Sequence, residues 1–579
     1  MKDILRKLNY IFNSKQKRQM AALLLAIFFG AMLELIGVSL IMPVIQLISD
    51  PSSVYTNEYL RALFEATHAG SAQEFLICLI LLIIVIYAAK NIYLSVMYYF
   101  QYSYIYNNQL LVAGRLVDCY LKKPYVYHLD HNTSDMIRNI MLDTDRLFQL
   151  ILQVLNVTAE ALLSCLLGLY LLISDPLMTL TVGFLLGISM VVLRGLTKKR
   201  VHRYGQINQE FDGRMHQSID EALGAVKDIK ILHREGYFVD SFISCGKKKM
   251  NALINTNFFG QIPKYLIESV CITAIMIVLV IKLKSGTDLK TILPQLSAFA
   301  VAAFKLLPSV GKISNYLNGI TFLRPSIDLI YRDLKDTADM LHYRVSDKSS
   351  EKLPDNGNIY VDHLSFSYPG AESKVLNDVS FEIPSGSAVG FIGKSGAGKS
   401  TMADLILGIL TPSEGRVLYG GMNVHESPLN WSKKLAYIPQ SIYLADRSVR
   451  ANIAFGVPEE KIEDDKVWEA LNEAQLKDFV ESLPQGLDTS VGERGVRLSG
   501  GQRQRIGIAR ALYGSPEILV LDEATSALDN DTEKAVMEAI DSLHGKKTLI
   551  IIAHRLSTIE NCDLVFKVED GKVIRSRQA

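Results

Sequence analysis

Six apolar runs long enough to cross a bilayer, a change of composition after residue 340, and a glycine-rich GKSGAGKST loop beyond it predict a two-part chain. The fold class is an all-α, six-helix transmembrane domain followed by a cytoplasmic α/β domain of the phosphate-loop nucleoside triphosphatase kind. Hydrophobic residues make up 49% of the 579 and the mean hydropathy is +0.18, high for a soluble enzyme. The formal net charge of +1 offers no bulk electrostatic argument for nucleic acid, which is not expected as a partner. The six cysteines show no C-x-x-C spacing and several lie in apolar runs, so they read as buried thiols, neither disulfides nor metal ligands.

The runs lie near 20–49, 74–104, 146–174, 176–196, 258–284 and 289–318. The third and fourth are parted only by a turn at Asp175 and Pro176, which makes a tight external hairpin. Before the first run, MKDILRKLNYIFNSKQKRQ has no small-residue cleavage site after a short apolar core, so a retained membrane anchor is expected. Lys2, Arg6, Lys7, Lys15, Lys17 and Arg18 precede the first span, and Lys198, Lys199, Arg200 and Arg203 follow the fourth. Between the first two spans Arg61 stands against Asp50, Glu58 and Glu65. By the positive-inside rule both termini and the nucleotide domain face the cytoplasm of a multi-pass inner-membrane protein, although Lys282, Lys284 and Lys290 in the fifth connection run against it.

The cytoplasmic connections, roughly 105–145 and 197–257, have few Gly or Pro breakers and read as extensions of the membrane helices, with a short turn within Gly224–Gly236. Domain boundaries follow: 1–340 is the transmembrane domain, 341–354 a polar linker, and 355–579 the nucleotide domain.

In the second part, strand-like AVGFI leads into Gly393-x4-Gly398-Lys399-Ser400 and then into helix-like TMADLILGIL. Glycines let the backbone wrap phosphates, Lys399 reaches the β and γ phosphates, and the Ser400 hydroxyl binds Mg²⁺. The ATP-binding set is Gly393, Lys394, Ser395, Gly396, Ala397, Gly398, Lys399, Ser400 and Thr401. Further on, EILVLDEATSALD places Asp522 at the end of a buried strand, where it can hold Mg²⁺ through water. Glu523 follows, placed to polarise the attacking water. TLIIIAHR repeats the pattern, with His554 at a strand end within reach of a γ-phosphate.

The phosphate loop, Gln440 in YIPQ, the LSGGQ turn, LVLDEATSALD and His554 occur in an order that resembles the ATP-binding cassette superfamily over 355–575. The resemblance implies that Tyr368 stacks on adenine and that Gln440 links Mg²⁺ and the catalytic water to the membrane domain. Ser526–Asp529 would form a dimer-contacting loop, and Val491–Arg497 would lie near the coupling helices. It also implies that Ser499, Gly500, Gly501 and Gln502 touch the ATP held by a partner chain, so the working unit would be a dimer, most simply a homodimer with two functional sites. Catalysis would then fall to Glu523, His554 and Gln440, and the metal to Ser400, Gln440 and Asp522. YLADRSV (Tyr443–Val449) departs from the family's usual Phe- and Gly-containing stretch. Spans followed by a cassette resemble the exporter architecture.

Charged residues inside spans are costly and face a cavity or a partner. Lys90 and Lys305 fall at similar depth and, doubled by symmetry, would offer a positive patch to the phosphates of a lipid-like substrate. The alternative pairs them with Glu34 or Glu268, or extends them to interfacial water. Tyr55, Tyr59, Leu60, Leu63 and Phe64 share a helical face in a long first outer loop, a feature similar to the lipid-linked oligosaccharide flippases of bacteria. The expected function is ATP-driven flipping of a lipid-linked oligosaccharide or other glycolipid. A lipid or multidrug exporter of the same architecture and a membrane-tethered regulatory ATPase are the alternatives.

Overall fold

The computed structural model describes the chain except for residues 1, 41–42, 45–46, 49–50, 52–53, 55–57, 68–70, 175, 285–288, 345–351, 372, 493–494, 523–529, 554–555 and 577–579. It divides into two compact units: residues 1–123 with 131–340, and residues 124–130 with 341–579.

The first unit is helical: α1 (Lys2–Ile11), α2 (Ser14–Ser39), α3 (Glu58–Thr67), α4 (Ala72–Lys122), α6 (Thr133–Arg138), α7 (Thr144–Ser174), α8 (Pro176–Gly224), α9 (Val226–Leu232), α10 (Glu235–Lys284) and α11 (Leu289–Arg344). The short α5 (Tyr125–Asp130) belongs to the second unit. Among the described residues five helices are long and apolar enough to cross a membrane. The predicted sixth run falls in α11, whose side chains from 289 to 305 lie outside the described residues. Side chains such as Val85, Ile173 and Phe184 stand exposed on these helices, as suits a surface solvated by lipid tails.

Helix α2 starts at a capping box, in which Asn13 and Gln16 satisfy each other's backbone N–H groups. It is then fastened to α4 by three tyrosines. Tyr87, Tyr93 and Tyr104 donate their hydroxyls to the backbone carbonyls of Gly37, Ala26 and Gln16 at 3.1, 2.9 and 3.2 Å. Gly30 lets the helices close, because a Cβ there would meet Leu94 Cδ2 at 3.1 Å.

Between α6 and α7 the helix continues through one π turn, Asn139–Asp143. Asp143 is fully buried and accepts hydrogen bonds from Arg138 Nε (3.3 Å), Gln209 Nε2 (3.1 Å) and Ser326 Oγ (2.6 Å), joining this helix to α8 and α11. Arg146 adds a contact at 3.5 Å and bonds Asp212 at 2.6 Å. A buried carboxylate is tolerable only when paired this fully.

Three expectations need adjusting. The 105–145 connection does extend its helices, α4 running on to Lys122, but a break that was not expected falls at Lys123, which caps α4 in an extended conformation (ψ 149°), the conformation that a following proline, here Pro124, imposes. The predicted turn within Gly224–Gly236 contains a helix of its own, α9, closed by His233 in the left-handed region. Only Cys119, Cys271 and Cys562 are buried; Cys78 and Cys165 are exposed on apolar helices, where burial in protein is replaced by lipid, and none of the six forms a disulfide.

In the second unit β1 (Ile359–Phe366), β2 (Leu376–Ile383), β4 (Glu414–Tyr419) and β5 (Met422–Asn423) form an antiparallel sheet in the order β2-β1-β4-β5. A six-stranded sheet runs β10-β9-β3-β8-β7-β6, from β3 (Ala388–Ile392), β6 (Leu435–Ile438), β7 (Ile518–Asp522), β8 (Thr548–Ile552), β9 (Leu564–Glu569) and β10 (Lys572–Ser576). Its helices are α12 (Lys399–Ile406), α13 (Pro428–Lys434), α14 (Val449–Ile453), α15 (Asp464–Glu473), α16 (Lys477–Ser482), α17 (Gly500–Leu512) and α18 (Asn530–Asp541). Successive residues of β7 feed opposite cores. Leu519 and Leu521 pack with α15, α17 and α18, while Ile518 and Val520 pack with α12 and the antiparallel sheet. Burial on both faces is why β3, β7 and β8 read as unbroken apolar runs.

Replacing Asp143 by Ala should leave Arg138, Gln209 and Ser326 donating into a void and cost about 3–5 kcal/mol of stability. A fall of several degrees in the thermal melt of the detergent-solubilised protein is the expected reading; an unchanged melt would show that the network is dispensable.

Candidate functional site

Parallel pairing aligns the strand ends that make the site. Phe391 of β3 is level with Ile552 of β8, and Ile552 with Asp522 of β7. The loop from Gly393 to Gly398 therefore starts on the same sheet edge as Asp522, with β8 between them. Gly393 must lack a side chain, because a Cβ would lie 2.3 Å from the Val568 carbonyl oxygen. Gly398 caps α12 with φ 101°, a conformation that L side chains rarely adopt.

Lys399 is 5% exposed and curls over the loop, donating to the carbonyls of Gly393 (2.9 Å) and Lys394 (3.2 Å). Its ammonium thus sits within the ring of backbone that a triphosphate would occupy. Ser400 Oγ lies 3.4 Å from Asp522 Oδ1, and the Tyr437 hydroxyl 3.4 Å from Asp522 Oδ2. A hydroxyl beside a carboxylate at the phosphate loop is a donor set that suits a hard, oxygen-loving cation completed by phosphate and water. Among the described residues no cluster of three His, Cys, Asp or Glu side chains forms a metal site of its own.

Tyr368 stands at the end of β1, edge-on to Phe366 with ring centroids 5.0 Å apart, its hydroxyl 3.2 Å from Thr401 Oγ1. Lys394, Ser395, Gly396 and Ala397 complete the loop, with the Ala397 N–H bonded to the Lys394 carbonyl at 3.1 Å. Gln440 is exposed, two residues beyond β6. The segment after it is tied down by Asn452, fully buried, which exchanges two hydrogen bonds with the Ala445 backbone at 2.9 and 3.0 Å.

The LSGGQ turn stands at the start of α17. Ser499 Oγ accepts from the Gln502 N–H at 3.2 Å, and Gln502 Oε1 accepts from the Ser499 N–H at 2.8 Å, so Gly500 and Gly501 open a helix already capped. Glu523, Ser526–Asp529 and His554 lie outside the described residues, as do Glu493 and Arg494 within Val491–Arg497.

Two cassette residues escaped the sequence reading. Asp404, four residues after Ser400 on α12, has its carboxyl pushed up to about 6, first by burial and then by the nearby Asp522 carboxylate. Tyr437 is likewise pushed up, by burial and by Asp522. The i, i+4 spacing from Ser400 was the available signal for Asp404. The short α5 was missed as well: Val126 packs on the cassette core near Tyr368.

In the helical unit Lys90 is 4% exposed and pairs with Glu34 at 3.3 Å, with its ammonium 4.4 Å from the centre of the Tyr87 ring. This is the pairing that the sequence left open as the alternative. The Lys305 side chain lies outside the described residues, and so do those of Tyr55, Tyr59, Leu60 and Leu63, while Phe64 of α3 packs edge-on against Phe75 at 5.4 Å. Glu160 and Lys312 form a pair at 2.8 Å that joins α7 to α11. Both sit in apolar runs, the signal that singled out Lys90.

A phosphate loop and an acidic strand end joined on a parallel sheet, in one chain with bilayer-length helices, define a membrane-bound ATP-binding protein. Residues 376–526 match the family described as ABC transporter. An ATP-dependent lipid A-core flippase of Pseudomonas aeruginosa is 30% identical over 81% of this chain and 75% of its own. One from Cupriavidus metallidurans is 29% identical over 81% and 79%. The fold matches that of a bacterial Atm1-family ABC exporter solved with ATP bound, at a TM-score of 0.73 and 21% identity over 97% of this chain and 95% of the other. The chain belongs to the ABC transporter family: a multi-pass half-transporter whose ATPase is coupled to movement across the membrane.

Because the folded-state pKa of Asp404 lies above the ordinary 3.8, its ionisation weakens the fold as pH rises from about 4 to about 6. Asp404→Asn should therefore stabilise the nucleotide-free protein at pH 8, by about 1–2 kcal/mol after allowance for solvent screening. The gain should vanish near pH 4. Thermal melts across that range test it, and a gain independent of pH would contradict the shift.

Proposed function

We propose that two copies of this chain form a homodimer in the cytoplasmic membrane, with the cassettes in the cytoplasm, and use ATP and Mg²⁺ to flip a phosphorylated glycolipid. The observation that carries this reading is the fusion of a full set of cassette motifs to a helical unit holding a largely apolar, charge-lined cavity. That the relatives are lipid A-core flippases supports a glycolipid, and a lipid-linked oligosaccharide is close in chemistry.

In this reading Lys399 and the loop N–H groups from Gly393 to Thr401 hold the β and γ phosphates, and Tyr368 stacks on the base. Ser400, Asp522 and Gln440 would hold Mg²⁺, which when bound supplies charge neutralisation at the phosphates. Glu523 orients the attacking water, and His554 steadies the γ-phosphate. The partner's LSGGQ turn, Ser499 to Gln502, closes on that phosphate from across the interface, so hydrolysis requires both chains. Lys305 remains a candidate headgroup contact, and Lys90 takes part through its pair with Glu34.

Glu523→Gln should leave ATP binding intact and slow hydrolysis by orders of magnitude, trapping a closed dimer. ATP turnover and gel-filtration mass measured on the same preparation check it; wild-type turnover would remove Glu523 from the mechanism.

Sharing of sites is tested by mixing chains. Ser499→Arg and Lys399→Ala each should abolish hydrolysis as pure dimers. A mixed dimer of the two gathers both lesions at one site and should still occlude one ATP per dimer, counted after sequential affinity purification. Zero occluded ATP would mean that each chain completes its own site.

A further inference from the structure

The helical unit holds a cavity of about 610 Å³ between α2, α4, α7, α10 and α11. Much of its wall is apolar, with Leu94, Met97 and Leu163 among the lining residues. Its charges are unevenly committed. Lys312 is held by Glu160 at 2.8 Å, and Glu34 by Lys90 at 3.3 Å. Lys264 and Glu268, one turn apart on α10, line the same cavity, both exposed to it. Among the described residues neither has an ion pair or a side-chain hydrogen bond; the Lys264 ammonium only lies 5.5 Å from the centre of the neighbouring Tyr265 ring.

We infer that Lys264 and Glu268 form a two-point site for a lipid headgroup carrying both a phosphate and a primary amine. This inference rests on the flippase reading and narrows its substrate class. Side chains at i and i+4 stand about 5–6 Å apart at their Cβ atoms. That spacing suits a phosphate on the Lys264 ammonium and an amine, two carbons away, on the Glu268 carboxylate, as in a phosphoethanolamine group. The charge count agrees. Among the described residues Glu34, Glu160, Glu268, Lys264 and Lys312 line the cavity, and Lys90, which does not line it, neutralises Glu34 from behind, so a headgroup of no net charge leaves none unpaired. A polyanion would find one free ammonium and an opposing carboxylate beside it.

Native mass spectrometry of the full-length protein in maltoside micelles reads this directly, with phosphatidylethanolamine, its N-acetyl derivative and phosphatidic acid as probes. Wild type should bind the free amine at least tenfold more tightly than either other lipid. Glu268→Gln should bring the amine and its N-acetyl form within twofold, and Glu268→Asp should restore the preference; thermal melts confirm folding of both. Equal binding of the amine and its N-acetyl form by wild type, or a tenfold preference surviving in Glu268→Gln, overturns the site. Glycolipid flipping in proteoliposomes runs in parallel, with passengers bearing a free or an acetylated phosphoethanolamine. ATP-driven movement that ignores the amine overturns this inference alone, whereas ATP-driven movement of no lipid overturns the flippase reading and this one with it.

Discussion

The cassette depends on one register: β3, β8 and β7 run parallel with Phe391, Ile552 and Asp522 level. Three carboxyl-terminal strand ends thereby open on one edge, and whatever follows each strand is delivered to the same place. The phosphate loop follows β3, and Asp522 ends β7. A slip of one residue in β7 would turn Asp522 to the other face and exchange the two cores that Leu519 and Val520 now serve. Continuous burial on both faces is thus what holds the chemistry in place.

The helical unit meets a different constraint, since charge and hydrogen-bonding groups must be matched wherever water is scarce. Its solutions graduate along the helices. Tyrosine hydroxyls borrow helix carbonyls between α2 and α4, single ion pairs join Glu34 to Lys90 and Glu160 to Lys312, and a branched network surrounds Asp143. Pairing of this kind limits the cost of each charge without making it a source of stability. It also concentrates reactive possibility where pairing stops, at Lys264 and Glu268.

Much of the cassette was legible because its signals are local. GKSGAGKST between AVGFI and a helix, and an apolar run ending in Asp522, each carry their context within a dozen residues. The apolar runs were legible for the same reason. What escaped involves partners distant in sequence: Lys312 finds Glu160 across 152 positions, and Ser326 finds Asp143 across 183. No periodicity encodes such a meeting. Pro124 was visible, but that its short helix packs with a cassette hundreds of residues away was not. The rise of the Asp404 carboxyl comes from burial, which exists only after folding.

The π turn at Asn139–Asp143 works as a phase shifter. One residue beyond the α-helical count offsets everything downstream by about 100° about the helix axis. Ahead of the turn Met136 faces inward; after it Leu147, Ile151 and Glu160 are brought to the bundle in a new phase. The stretches of a single rod before and after the turn can therefore present differently aimed faces without a break in the rod. Loss of one residue there would re-aim the whole membrane stretch, carrying Glu160 off Lys312 and the cavity wall with it. Chain length at this point is thus a structural variable as strict as any side chain, and a deletion of a kind that a loop absorbs would here be read along the remaining length of the helix.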